Sequence, residues 1–119
     1  MPRSRDPLAR THLTAREKRA VAAFVRELRA ALGDELVRVT LFGSKVRGDG
    51  GRASDVDLLV LLRTKDRRAE QAVFKLVVDV ELVTDTPLAP IVYSRRRYDR
   101  NKRLGSPFIA AVEREGVAL

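Results

Sequence analysis

The chain has no cysteine and no tryptophan, and a single histidine, His12. The missing thiols exclude a disulfide framework and thiolate metal sites, and one histidine is too few for a histidine triad or a zinc cluster. Any metal has to be held by oxygen. No apolar run approaches the roughly 18 residues that cross a bilayer, so no membrane contact is expected. The opening MPRSRDPLARTHL lacks the apolar stretch of a secretion signal, so a cytoplasmic location is expected. Repeats, Gly/Ser linkers and low-complexity blocks are absent too. With 119 residues, 45% hydrophobic and 34% charged, the chain is too apolar for a disordered tail and has the length of one domain. The expected organisation is a flexible basic arm over residues 1–13 followed by one domain over residues 14–119.

What is present in excess is positive charge. Lys and Arg number 24 against 16 Asp and Glu, a net +8. Such a surplus suits a phosphate-bearing partner, nucleotide or nucleic acid, and suits equally a solvated arginine-rich surface.

Thr14 and Glu17 have the T-x-x-E spacing of a capping box, and Val21, Phe24, Val25, Leu28 and Leu32 recur on one helical face up to Gly33. A first helix is predicted from about Ala15 to Leu32. Val37, Val39 and Leu41 then alternate with polar residues, which predicts a strand ending at Gly43 and Ser44. VDLLVLL from Val56 is nearly all apolar, the pattern of a strand covered on both faces. Asp66 to Val83 carries two overlapping periodicities. Ala69, Ala72, Val73, Leu76, Val80 and Val83 repeat as in a helix, whereas Phe74, Leu76, Val78, Val80 and Leu82 alternate as in a strand. The helix is preferred, because a separate strand candidate, Leu88 to Tyr93, follows the turn-like Thr84 to Pro87. Two further helices are expected, one capped by Ser94 over Arg95 to Arg103 and one begun by Ser106 and Pro107 and closed by Gly116. The sum is an α/β (α+β) domain with a small mixed sheet and helices mainly on one face.

The residues that carry chemistry lie between the first two strands, in LFGSKVRGDGGRASDVDLLV. Asp55 and Asp57 are two apart at the start of a strand, so their carboxylates point the same way. Two like charges held close repel, and a divalent cation removes the penalty. Mg²⁺ suits such a pair, because it binds through one or two carboxylates together with substrate phosphates. Gly43 and Ser44 offer backbone N–H groups and a hydroxyl where a polyphosphate can lie against bare backbone. Lys45 and Arg47 are further phosphate candidates, though charged loop residues are commonly just solvated. Ser54 reads as a local cap of the turn.

The pattern F-G-S-x-x-x-G-x-x-x-x-x-S-D-x-D-L-L-V resembles the minimal nucleotidyltransferases of the DNA polymerase beta superfamily, whose signature is G-S, ten residues, D-x-D; Gly43, Ser44, Asp55 and Asp57 match it without insertion. APIVYS and SPFIAAVEREGVAL are similar to the ending of small bacterial and archaeal members, so the resemblance covers most of residues 14–119. It implies a nucleotidyltransferase fold and transfer of a nucleoside monophosphate from an NTP, usually ATP, to an acceptor hydroxyl with release of pyrophosphate. It also implies Asp55 and Asp57 as catalytic Mg²⁺ ligands, and Gly43 and Ser44, with Arg47 beside them, as the nucleotide-binding residues. Active members add a third carboxylate from the neighbouring strand. Asp79, or Glu81 on the same face, fills that role if their segment is a strand; if it is a helix, the third strand has no acid.

Minimal members often act beside a small helical HEPN protein, as the antitoxin of a toxin–antitoxin pair, so the resemblance implies such a partner, with a hydroxyl on it as acceptor. A non-catalytic NTP-binding or docking module is the alternative. A homo-oligomer remains open. Direct nucleic-acid binding through Arg95, Arg96, Arg97, Arg100, Lys102 and Arg103, with Tyr93 and Tyr98 to stack bases, is the weakest reading, since a solvated or salt-bridged helix face explains the same residues.

Overall fold

The structure is a computed structural model that describes residues 6–51 and 54–119. Helix α1 (Ala15–Leu32) starts where the Thr14 hydroxyl accepts from the Glu17 N–H, while the Glu17 side chain accepts from the Thr14 N–H, and it ends at Gly33, whose φ is 52°. A short 3₁₀ turn leads into β1 (Leu36–Phe42). One helical turn, α2 (Ser44–Arg47), follows, and the chain returns through β2 (Val56–Leu62). Then come α3 (Arg67–Thr84), β3 (Leu88–Ser94), α4 (Arg95–Arg103), α5 (Pro107–Glu115) and the two-residue β4 (Val117–Ala118).

The disputed segment is therefore a helix. The Asp66 side chain caps it by accepting from the Ala69 N–H, and Ala69, Val73, Val77 and Val80 form its buried face. The alternating pattern loses because α3 has a layer to pack on: α1 and α3 lie side by side and cover one face of the sheet.

The strand order is β3-β2-β1-β4. β1 pairs antiparallel with β2 and with β4, and β2 pairs parallel with β3. Beneath α1 and α3, Val39, Leu41, Leu58, Val60 and Leu62 join Phe24 and Leu28 in the main core. The two short helices α4 and α5 partly cover the opposite face, with a smaller cluster of Leu59, Leu61, Tyr98, Ile109 and Val112 against Phe42, Tyr93 and Phe108. The main helical layer is thus on one face, and the second face is only partly roofed.

The arm differs from the expectation. Leu8 and Leu13 are buried in the main core, and the His12 N–H donates to the Lys45 carbonyl at 2.8 Å. Two leucines spaced for burial outweigh the basic, Pro-containing composition, so the chain is already tied down from Leu8 onward; residues 1–5 lie outside the described residues. Among the described residues no helix is long and apolar enough to cross a membrane.

Candidate functional site

The sheet register brings the sequence motif together. Asp57 is the partner of Phe42 on β1, so the chain that leaves Phe42 as Gly43 and Ser44 starts directly beside the carboxylate. Gly43 has φ 82°, a conformation L side chains rarely adopt, and a Cβ there would collide with Asp57 Oδ2. Only glycine lets the turn lie under the acid. Asp57 shares its face with Leu59 and Leu61, the face that α4 and α5 leave partly open, and Asp55, two residues earlier, is exposed at the mouth.

Burial pushes the Asp57 carboxyl above the usual carboxylate range; the negative charge of Asp55 adds to the shift, and the Arg47 guanidinium partly opposes it. Among the described residues neither Asp55 nor Asp57 forms an ion pair with a lysine or arginine within 4.0 Å. Paired carboxylates of this kind are oxygen donors of the type that suits a hard divalent cation. No group of three or more acidic or histidine side chains placed to hold a metal occurs among the described residues.

The third carboxylate expected of active members is where the two alternatives separate. Asp79 sits on α3 and is paired with Lys75 at 3.5 Å. Glu81 accepts from the Leu88 N–H at 2.9 Å and so fastens the entry to β3. Neither stands beside Asp57; that position belongs to Ala89, its register partner on β3.

The loop residues divide by role. Ser44 is half-buried, with its Oγ 3.5 Å from Ser54 Oγ, while Ser54 donates to the Gly51 carbonyl at 2.7 Å and caps the turn. Gly50 passes so close to Ser44 that a Cβ would strike its hydroxyl. Arg47 lies at the end of α2 and is held by Asp49 at 2.9 Å and Glu115 at 3.5 Å. Lys45, a phosphate candidate in the sequence, is buried: its Nζ is 2.8 Å from Glu17 Oε2, and it reaches the Gly51 carbonyl at 3.4 Å. Burial alone would raise the Glu17 carboxyl, but the Lys45 and Thr14 hydrogen bonds outweigh it and hold it below the usual range. Lys45 therefore ties α1, α2 and the glycine loop together rather than meeting substrate.

Two positioning residues escaped the sequence reading. Glu17 reads as a helix cap and does that with one oxygen while binding Lys45 with the other. His12 packs on Gly48, where a Cβ would come 2.7 Å from its Nε2; the signal for it was the pair Leu8 and Leu13 on either side.

The basic helix α4 has the form of a salt-bridged face. Arg95 pairs with Asp99 and Lys102 with Glu113, Tyr98 is buried, and Arg97 covers the Tyr93 ring at 4.8 Å. The rings needed to stack bases face inward.

Comparison with known proteins gives the family. The nucleotidyltransferase domain family profile matches residues 21–105. A protein of Methanocaldococcus jannaschii named "Putative protein adenylyltransferase" is 35% identical over 98 residues, covering 82% of this chain and 92% of that one. Among solved structures, one titled as a toxin-antitoxin with AMP-PNP aligns with a TM-score of 0.52 at 23% identity, over 80% of this chain and 68% of that chain, a likeness of fold. The turn under the paired acids, the family profile and the archaeal relative agree, and the chain belongs to the nucleotidyltransferase domain family.

Proposed function

We propose that the chain transfers AMP from ATP to a hydroxyl on a partner protein, with release of pyrophosphate. The observation that carries the reading is the placement of the Asp57 carboxylate directly over Gly43, with Asp55 on the same side. Gly43 and Ser44 bind the triphosphate through backbone N–H groups and the Ser44 hydroxyl, and Arg47 balances its charge from the end of α2. The acceptor oxygen bonds to the α-phosphorus, the bond from that phosphorus to the bridging oxygen breaks, and pyrophosphate leaves. The acceptor proton passes to the carboxylate pair or to water. Mg²⁺ held by Asp55 and Asp57 would neutralise the pair and polarise the phosphate oxygens.

In this reading the acceptor is supplied from outside, in keeping with the archaeal relative's name. A small helical HEPN-type toxin, with this chain as its antitoxin, is the partner that the resemblance supports; the archaeal relative's name supports a protein acceptor, and the structural neighbour's title supports a toxin-antitoxin setting. The second reading, an NTP-binding docking module, is favoured by one observation: Ala89 stands where a third acid would stand.

The test is thermal stability with and without Mg-ATP, because a ligand that binds the folded state raises the midpoint by mass action. Mg-ATP is expected to stabilise the wild type, and Asp55→Asn with Asp57→Asn to abolish the shift. A double variant that keeps the full shift overturns the site. Pyrophosphate release from each NTP, with and without a co-purified partner, separates enzyme from binder.

A further inference from the structure

Helix α3 has two apolar faces where the fold requires one. The inner face is buried against the sheet and α1. On the outer face Phe74, Val78 and Leu82 recur every four residues and are 45%, 53% and 80% exposed. Residues four apart stand one above another on a helix, so the three form a continuous apolar ridge in water. A solvent-facing helix surface ordinarily carries polar residues at such positions.

The charges beside the ridge reverse sign along the helix. Towards the N-terminus lie Arg67 and Lys75, with the half-buried Glu70 between them 4.0 Å from Lys65, and towards the C-terminus Asp79 and Asp85; Arg67, Lys75, Asp79 and Asp85 are all exposed. Their present partners hold them loosely. Lys75 and Asp79 pair at 3.5 Å with side chains 78% and 52% exposed, and Asp85 is 3.8 Å from Arg16 with its own side chain 98% exposed. Exposed pairs of this kind add little to stability, so exchanging partners costs little.

An apolar ridge with a basic end and an acidic end is complementary to itself when two copies run antiparallel. Val78, midway between Phe74 and Leu82, then lies on the two-fold axis. Phe74 of each copy packs against Leu82 of the other, Lys75 comes beside Asp79 of the other, and Arg67 approaches Asp85. Such an interface is isologous and closes on itself. We propose that the outer face of α3 is a homodimer interface in which two copies of this chain pack antiparallel about Val78.

A second copy is the occupant chosen because the sign reversal is what antiparallel self-pairing needs; an unrelated apolar partner would not require it. The net charge of +8 repels two copies, but over distances that physiological salt screens within about 8 Å. α3 packs on the face opposite to Asp57, so both candidate sites stay open in the dimer. One helix against one helix buries less than a standard interface, so the expected association is weak and reversible.

Sedimentation velocity across the micromolar to sub-millimolar range tests the association, and cross-linking tests its geometry. Because the chain has no native cysteine, a single introduced thiol reports one position. The wild type is expected to show a reversible monomer–dimer equilibrium. Val78→Cys should give a covalent dimer on mild oxidation, whereas Arg103→Cys, on α4 across the sheet, should not. Leu82→Glu should be monomeric throughout and should melt with the wild type at dilutions where the wild type is also monomeric, the side chain being exposed. Lys75→Asp should weaken the dimer about tenfold, and Lys75→Asp with Asp79→Lys should restore it. A chain that is monomeric at every concentration, a dimer that survives Leu82→Glu, or a dimer in which Val78→Cys fails to cross-link overturns the proposal. So does a monomer whose ridge variants lose binding to a different protein, which would give the ridge a heterologous partner.

Discussion

Strand β2 has two neighbours, and they contribute unequally to the site. On one side β1 delivers Gly43 and Ser44 beside Asp57, held by α2 and its buried lysine. On the other side β3 offers Ala89 in register with Asp57, and no acid anywhere from Leu88 to Ser94. The connections account for the difference. The β1–β2 link folds back on itself within one turn of helix and a glycine loop, so residues close in sequence converge. The β2–β3 link passes through the eighteen residues of α3, and the acids on that helix are spent at its surface and at its C-terminal junction. The motif residues are therefore gathered on one flank, and the other flank brings no acid to Asp57.

The largest expected effect comes from breaking the furnished flank at its buried ion pair. Lys45→Met leaves the Glu17 carboxylate, with 10% of its side chain exposed, without its cation. Removing one partner of a buried pair costs about 3–5 kcal/mol, a large part of the stability of a domain of this size. Urea denaturation should show that loss together with a diminished Mg-ATP shift, because α2 is no longer fastened to α1. Adding Glu17→Gln should recover much of the stability, since glutamine still closes the capping box and no charge remains buried. If Lys45→Met is neutral while Mg-ATP binding disappears, the lysine is a phosphate ligand after all.

How much of this the sequence disclosed follows the same division. The motif from Gly43 to Asp57 was legible because its parts are local: a strand, a turn that demands glycine, and a two-residue alternation that fixes where both carboxylates point. The element order was legible as well except for the two-residue edge strand β4, and it included α3, although the strand-like alternation of Phe74, Val78 and Leu82 is in fact an outer ridge that no periodicity rule separates from a sheet face. Roles that depend on long-range contact were not legible. Lys45 reads as a loop cation until Glu17, twenty-eight positions earlier in the chain, is brought against it by folding. His12 and Leu8 read as a loose arm for the same reason. That the third strand carries no acid followed already from the helix reading; that Ala89 is the residue beside Asp57 needed the register of the parallel pair.

A medium effect is expected from furnishing the bare flank. Ala89→Asp places a third carboxylate in register with Asp57 and on the same face. Without metal the added like charge should lower the melting temperature slightly. With Mg²⁺ the sign should reverse, and the half-maximal Mg²⁺ concentration for thermal stabilisation should fall about tenfold, equivalent to about 1.4 kcal/mol. If pyrophosphate release rises as well, the missing acid is what limits the wild type. Unchanged Mg²⁺ dependence would mean that β3 takes no part in the site.

The smallest effect is a pH dependence that tells the two flanking carboxylates apart. Asp57 is shifted upward, by burial first and by Asp55 second. In the window just above the ordinary carboxylate range the folded chain therefore holds a proton that the unfolded chain has lost. Its contribution to stability falls as pH rises through that window. Glu17 is shifted downward, so its contribution is present above the ordinary range and is lost as pH falls through its lowered value. Asp57→Asn should remove the first slope from a plot of urea-derived stability against pH and leave the second. Under the proposed function the same proton competes with the nucleotide: Mg-ATP would need Asp57 ionised, so its thermal shift should shrink as pH falls from neutrality into the window, and it should do so before Glu17 begins to titrate. A Mg-ATP shift that stays level until the whole domain acid-unfolds would place the metal away from Asp57 and would make the two flanks of β2 equivalent.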